Sequence, residues 1–151
     1  MMMLLSRRSL LAIAAVVDIA LHARPSPVAA KMLASRHNLP PRHLETVLQA
    51  LVRAGVLKGV RGPRGGYELA RERRRINAAE IVRAAMTVTG EENLSPLPAS
   101  RLVDEVVAPL VGRATEAFLV TLEAVTIEEL CRRADERRVF GGVPAAADFT
   151  I

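Results

Sequence analysis

The stretch that most constrains this chain is residues 55–70, where the hydrophobic period changes. Before it, Leu44, Val47, Leu48, Leu51 and Val52 recur at helical spacing over about Pro41 to Ala54, and Gly55 stands where a helix C′ glycine belongs. After it, Val56-Leu57-Lys58-Gly59-Val60-Arg61 and Tyr67-Glu68-Leu69 read as two short strands around Gly62-Pro63-Arg64-Gly65-Gly66. A helix running directly into a glycine-rich hairpin with arginine at its tip leaves few folds open.

The flanking segments narrow the choice further. Residues 10–21 place Ile13, Val16, Val17, Ala20 and Leu21 on one helical face. Arg24-Pro25-Ser26-Pro27 reads as a turn in which Ser26 caps a helix from Pro27 to Ser35. Asn38 then serves as a left-handed stop, and Pro40-Pro41 can open but not continue a helix. Behind the hairpin, Arg71 to Arg75 reads as a solvated basic connector. Ile76-Asn77-Ala78-Ala79-Glu80-Ile81 supplies an Asn cap, a Glu at the third helical position and an Ile76/Ile81 staple for a helix to about Met86.

The second half reads differently. Thr87 to Ser100 lacks useful periodicity and reads as a loop or linker. From Ser100, Val103, Val106 or Val107, Leu110, Ala114, Ala117 or Phe118, Leu122 and Val125 form one long apolar stripe, with a kink expected at Pro109. Thr126-Ile127-Glu128-Glu129 reads as a second capping box, opening a last helix to about Arg138 before a Gly-, Pro- and Ala-rich tail.

Composition agrees with a mainly helical chain. Of 151 residues, 50% are apolar but only 3% aromatic, so Ala, Val and Leu must fill the core, which suits helices better than a β-sandwich. One cysteine excludes an internal disulfide framework, and a domain this long needs none. Charge is divided unevenly. Residues 1–76 carry fourteen Lys and Arg against four Asp and Glu, whereas residues 77–151 carry seven against twelve. The basic half calls for a polyanion, and its cations are nearly all arginine, whose fork suits phosphate and guanine.

Helix, helix, turn, helix and basic hairpin in that order make a winged helix-turn-helix, which places its third helix in the major groove of double-stranded DNA. Arg42, His43, Glu45, Thr46 and Gln49 are then turned outward. Arg42 can fork onto guanine, Glu45 can accept from a cytosine amino group, and Thr46 can meet a thymine methyl. Arg61 and Arg64 on the wing are placed for phosphates or the narrow groove. The expected organisation is a DNA-binding domain over residues 1–86, a loop over 87–100, a dimerisation helix and short terminal helix over 101–138, and a tail over 139–151.

The residues resemble the Rrf2 family of bacterial winged-helix regulators. Leu5-Ser6, Ala12, Asp18-Ile19-Ala20, Leu44-Glu45, Leu51 and Ala54-Gly55-Val56-Leu57 carry the resemblance, and above all Val60-Arg61-Gly62-Pro63-Arg64-Gly65-Gly66-Tyr67-Glu68-Leu69-Ala70. It spans residue 5 to about 86, with weaker similarity through Thr126-Ile127-Glu128-Glu129-Leu130. The resemblance implies a homodimeric, sequence-specific transcriptional regulator, commonly a repressor, with long helices of two subunits crossing and Glu45 and Arg61 touching DNA. Gly62 belongs to the same wing contact. Ser6, Arg7, Ser26, Arg53 and Arg74 are expected at phosphates, and Val103, Val107, Leu110, Phe118 and Leu122 between subunits. Leu11 stands where the family usually has tyrosine.

One departure matters more. Many members hold an iron-sulfur cluster through three cysteines in the loop before the long helix, and Glu91 to Glu105 contains none. No cofactor is therefore expected, and Cys131 reads as a small buried residue. His22, His37 and His43 lack cysteine partners and single-helix metal spacing, so no metal site is expected either. No catalytic pattern is present, and Gly62 to Gly66 lacks the Lys-Ser/Thr of a phosphate cradle. Two rival readings remain from the residues. Arg7-Arg8 before Leu10–Val17 could open a twin-arginine export signal, although Asp18 ends the apolar run after eight residues and favours a retained helix in a cytoplasmic protein. A winged-helix protein-interaction module is the other. No run reaches the length of a membrane span, and any effector or partner protein goes unnamed by the sequence.

Overall fold

The computed structural model describes residues 5–24, 26–88 and 100–141. Among them six α-helices, a two-stranded antiparallel hairpin and two irregular helical turns follow one another. The helices are α1 (Arg7–His22), α2 (Ala30–Arg36), α3 (Pro41–Arg53), α4 (Ala78–Met86), α5 (Ala108–Leu122) and α6 (Ile127–Glu136). The strands are β1 (Leu57–Val60) and β2 (Gly66–Leu69). The fold is mainly helical, with a winged helix-turn-helix at its head. The loop expected over 87–100 and the tail beyond 141 fall almost wholly outside the described residues.

Local chemistry sets most of the boundaries. Ser6 caps α1 by accepting from the Ser9 amide at 3.2 Å. Asn38 at φ 52° stops the chain after α2, and Pro41 starts α3 at a position that needs no amide hydrogen. Gly55, at φ 77°, turns the chain out of α3 and into β1. Asn77 and Glu80 close a full capping box on α4, each bonding the other's backbone amide.

The α2 start departs from the sequence reading. Ser26 makes no cap bond among the described residues, and the helix begins at Ala30 rather than Pro27. Tertiary pairing is the reason: Val28 exchanges both backbone hydrogen bonds with Tyr67 of β2, at 2.9 and 2.8 Å, so residues 27–29 are extended. Gly66 makes this third strand-like pairing possible, since a Cβ there would sit 2.3 Å from the Val28 carbonyl oxygen. The hairpin itself pairs Leu57 with Leu69 and Lys58 with Glu68.

A single core joins the elements. Val16, Ile19, Leu33, Leu44, Leu48, Leu51, Leu57, Ile76 and Ile81 are fully buried, and α1 lies across α3, α4 and α6. The same cluster includes Ile127 and Cys131. Thus α6, expected alongside the dimerisation helix, packs on α1 and on the 73–75 turn, inside the winged domain's core. A short backbone bridge between Asn77 and Thr126 secures it. Thr126 accepts from the Glu129 amide as expected, but the carboxylate of Glu129 turns to Arg132 and Arg133 instead of completing the box.

Pro109 acts differently from the expected kink. The preceding Val103–Val107 forms a wide π turn, with the Ala108 amide reaching the Val103 carbonyl, and α5 starts directly after it. The proline ring would collide with the carbonyl four residues back in a regular helix, and the wider turn removes that collision.

Candidate nucleic-acid interface

Helix α3 has two chemically opposite faces. Leu44, Val47, Leu48, Ala50 and Leu51 are buried, which fixes the helix rotationally. Arg42, His43, Glu45, Thr46, Gln49 and Arg53 are all exposed on the other side. α3 packs against α2 and β1, which joins the reading helix to the wing. At the wing tip Arg61, Gly62 and Arg64 are exposed, and Gly62 holds φ 116°, a conformation that side-chain-bearing residues rarely adopt.

The state of the cations separates two groups. Arg42, Arg53, Arg61 and Arg64 pair with no carboxylate among the described residues, and neither does Arg7. In the connector the guanidinium groups are tied. Arg71 donates to the Gly55 and Arg75 carbonyls and to Glu80 at 2.6 Å, joining the end of α3 to α4. Arg73 reaches Glu128 at 2.8 Å, and Arg74 reaches Glu72 at 2.7 Å. The run 71–75 is therefore a bracing element as well as a charged one, which its sequence as a plain charge run did not reveal. Ser6 is exposed with its hydroxyl engaged as the α1 cap, and Ser26 is exposed before the Val28 bridge.

Behind the reading helix lies a buried carboxylate that sequence reasoning missed. Asp18 is fully buried, and Arg36 grips it at two points, Nη2 to Oδ1 at 2.6 Å and Nε to Oδ2 at 2.9 Å. His22 Nδ1 stands 3.0 Å from Oδ1, and His37 Nε2 stands 2.9 Å from Oδ2. Both ring nitrogens face acceptors, so both carry hydrogen and donate. Burial alone would raise the Asp18 carboxyl, but the bonds and charge of Arg36, the His37 bond and the His22 charge together hold it below its ordinary value. The network ties α1 to the turn between α2 and α3.

Residues 102–120 carry a second surface. Leu102, Val103, Val106, Val107, Leu110, Val111 and Val120 are exposed apolar side chains that a lone chain leaves in water. Of the five residues expected between subunits, Val103, Val107 and Leu110 are exposed; Phe118 and Leu122 are half-buried, and Leu119 between them is buried where α5 meets α4. Leu102, Val111 and Val120 are further exposed apolar residues outside the stripe read from sequence.

The comparisons with known proteins agree with this architecture. The Rrf2 family, described as iron-dependent transcriptional regulators, matches residues 5–133. The chain belongs to the Rrf2 family. An HTH-type transcriptional regulator of Synechocystis is 32% identical over 133 residues, covering 85% of this chain and 87% of that protein. The structure of IscR from T. potens superposes with a TM-score of 0.67 at 26% identity, covering 95% of this chain and 94% of its own. That of CymR, the global cysteine regulator of Bacillus subtilis, gives 0.65 at 27% identity, covering 89% and 100%. These Rrf2 relatives are transcription regulators rather than enzymes, and DNA binding follows from the family.

The donor set of this Rrf2 chain does not suit the iron in the family's description. Its one cysteine is buried in α6, where burial pushes the thiol up, against the opposing pull of Arg73 beside it. A three-thiolate cluster cannot be assembled from one thiol. Among the described residues no three His, Cys, Asp or Glu side chains converge as metal ligands. Nor is any described helix long and apolar enough to cross a membrane.

Proposed function

We propose that this chain is a homodimeric, sequence-specific repressor in the cytoplasm that reads a pseudo-palindromic operator without an iron-sulfur cluster. The observation that carries this reading is the exposed face of α3, where polar and cationic side chains make no ion pair among the described residues, on a helix whose other face is locked in the core. A polar face held this rigidly is suited to reading base edges, because its side chains lose little further freedom on binding.

The roles divide by chemistry. Arg42, His43, Glu45, Thr46 and Gln49 meet base edges, with Arg42 forking onto guanine and Glu45 accepting from cytosine. Arg61, Gly62 and Arg64 follow the backbone or the narrow groove beside the reading helix. Ser6, Arg7, Ser26, Arg53 and Arg74 take phosphates, Arg74 by exchanging its Glu72 partner for one. The apolar face from Leu102 to Val111, including Val103, Val107 and Leu110, meets its copy in a second subunit, with Phe118 and Leu122 at its margin. No catalytic step belongs to this reading.

Selection of sites from a random DNA pool tests it. The expected product is two inversely related half-sites with centres about 10 base pairs apart, or a multiple of that, matching two α3 helices on one face of the duplex. A pool that yields no shared sequence contradicts specific recognition, and a single unpaired half-site contradicts the dimer.

A further inference from the structure

A cavity of about 950 Å³ opens between the C-terminal turn of α1, the foot of the wing, the 71–74 connector and α6. Ala20, Ala23 and Leu69 contribute apolar surface to it. Its polar lining contains five cations and three carboxylates, and the three carboxylates are already engaged: Glu68 by Lys58, Glu72 by Arg74 and Glu128 by Arg73. Arg71 is bound to Glu80, outside the cavity. Of the five cations Arg24 alone pairs with no carboxylate among the described residues, and it is exposed.

We propose that this cavity binds a small organic carboxylate, with the anionic head on Arg24 and the apolar body against Ala20, Ala23 and Leu69. An excess of cations in a concave, partly apolar site favours an anion over a neutral molecule, and the apolar lining favours an organic body over a bare inorganic ion. The neighbouring Arg74–Glu72 pair is exposed and Lys58 is exposed on a half-buried Glu68, and such surface pairs rearrange at little cost, which lets both cations turn toward an incoming carboxylate. Lys58 and Glu68 face each other across the two wing strands, and Glu128 lies on α6. A ligand here therefore touches the wing and the last helix at once, a position from which occupancy would shift the wing's fit to DNA. That consequence rests on the DNA-binding reading; the binding itself does not.

The test uses DNA-free protein, so its failure is distinct from a failure to bind DNA. Benzoate is titrated into ¹⁵N-labelled full chain while amide shifts are followed, with benzamide as the neutral counterpart and inorganic phosphate as the anion lacking an apolar body. Saturable shifts at Ala23, Leu69 and Ala70 are expected with benzoate, with affinity at least about tenfold weaker for benzamide and phosphate. Arg24→Gln, an exposed change, should weaken benzoate by about tenfold, whereas Arg113→Gln on α5 should leave it unchanged. Equal response to benzoate and phosphate would show a general anion surface and overturn the proposal. So would an equal response to benzamide, the absence of saturable shifts, or a benzoate affinity unchanged by Arg24→Gln.

Discussion

Arg36 holds the buried carboxylate of Asp18 in a two-point ion pair that links the first helix to the turn before the reading helix. The arrangement matters for function because His37, on the same carboxylate, directly precedes Asn38, the left-handed residue of that turn. Whatever loosens Asp18 loosens the orientation of α3. The two histidines each add a second partner, His22 on Oδ1 and His37 on Oδ2, to the oxygens that Arg36 already holds.

Replacing Asp18 with Ala should therefore destabilise the fold by about 2–3 kcal/mol, below the range for a fully desolvated pair because a quarter of Arg36 stays exposed. The pH dependence has a definite sign. A carboxyl lowered in the folded state contributes its full stability above the unfolded value of about 4 and loses it as pH falls through the lower folded value. Urea midpoints of wild type and Asp18→Asn should differ most near neutrality and converge in acid below about pH 4. A difference that stays constant down to acid unfolding would show that the charge is not what stabilises this site.

Gly66→Ala should separate the start of α2 from the wing. The added Cβ would lie 2.3 Å from the Val28 carbonyl oxygen, a contact that only backbone movement can relieve. A cost of about 2–3 kcal/mol is expected by thermal unfolding. Gly59→Ala on the neighbouring strand meets nothing within 4 Å and should cost well under about 1 kcal/mol. Equal effects would place the origin in strand propensity rather than in the Val28 approach.

The apolar face beside Pro109 should control assembly. Leu110→Glu puts a charge at an exposed position, so the chain should fold unchanged while its sedimentation shifts from dimer to monomer. Operator affinity should fall by more than about tenfold with it, because two half-sites no longer bind as a unit. A Leu110→Glu protein that remains dimeric would move the interface elsewhere.

The free and the tied arginines should behave differently on DNA. Arg42→Ala should cost about 1–3 kcal/mol on the operator and relax preference at one base pair. Arg74→Ala should weaken all DNA alike and flatten the logarithmic salt dependence by about one unit. Equal loss on specific and random DNA for Arg42→Ala contradicts its assignment to a base edge.

Much of this organisation is legible in the residues, because local chemistry decides it. Asn77 and Glu80 announce a capping box, Gly55 and Asn38 mark turns, and the change of period after Gly55 marks the wing. What sequence reading loses is decided at a distance. Ser26 and Pro27 have the right chemistry to open a helix, yet the pairing of Val28 with Tyr67 overrides it. Asp18 reads as an interruption of an apolar run, and only its approach to Arg36 and His37, eighteen and nineteen residues on, makes it a buried anchor. The stripe of residues 103–125 is visible as a stripe, but its division into a face on α4 and a face in water depends on how α5 docks.

The central claim is most directly tested by titrating purified, metal-free protein onto its own upstream DNA and onto random DNA of equal length across a salt series. The account predicts binding of one dimer per site with a preference of about a thousandfold or more for the upstream sequence. It also predicts affinity that falls steeply with salt on both DNAs, since phosphate contacts are common to them. Weak binding that is equal on the two DNAs would contradict it, leaving the exposed face of α3 and the wing as a general polyanion surface.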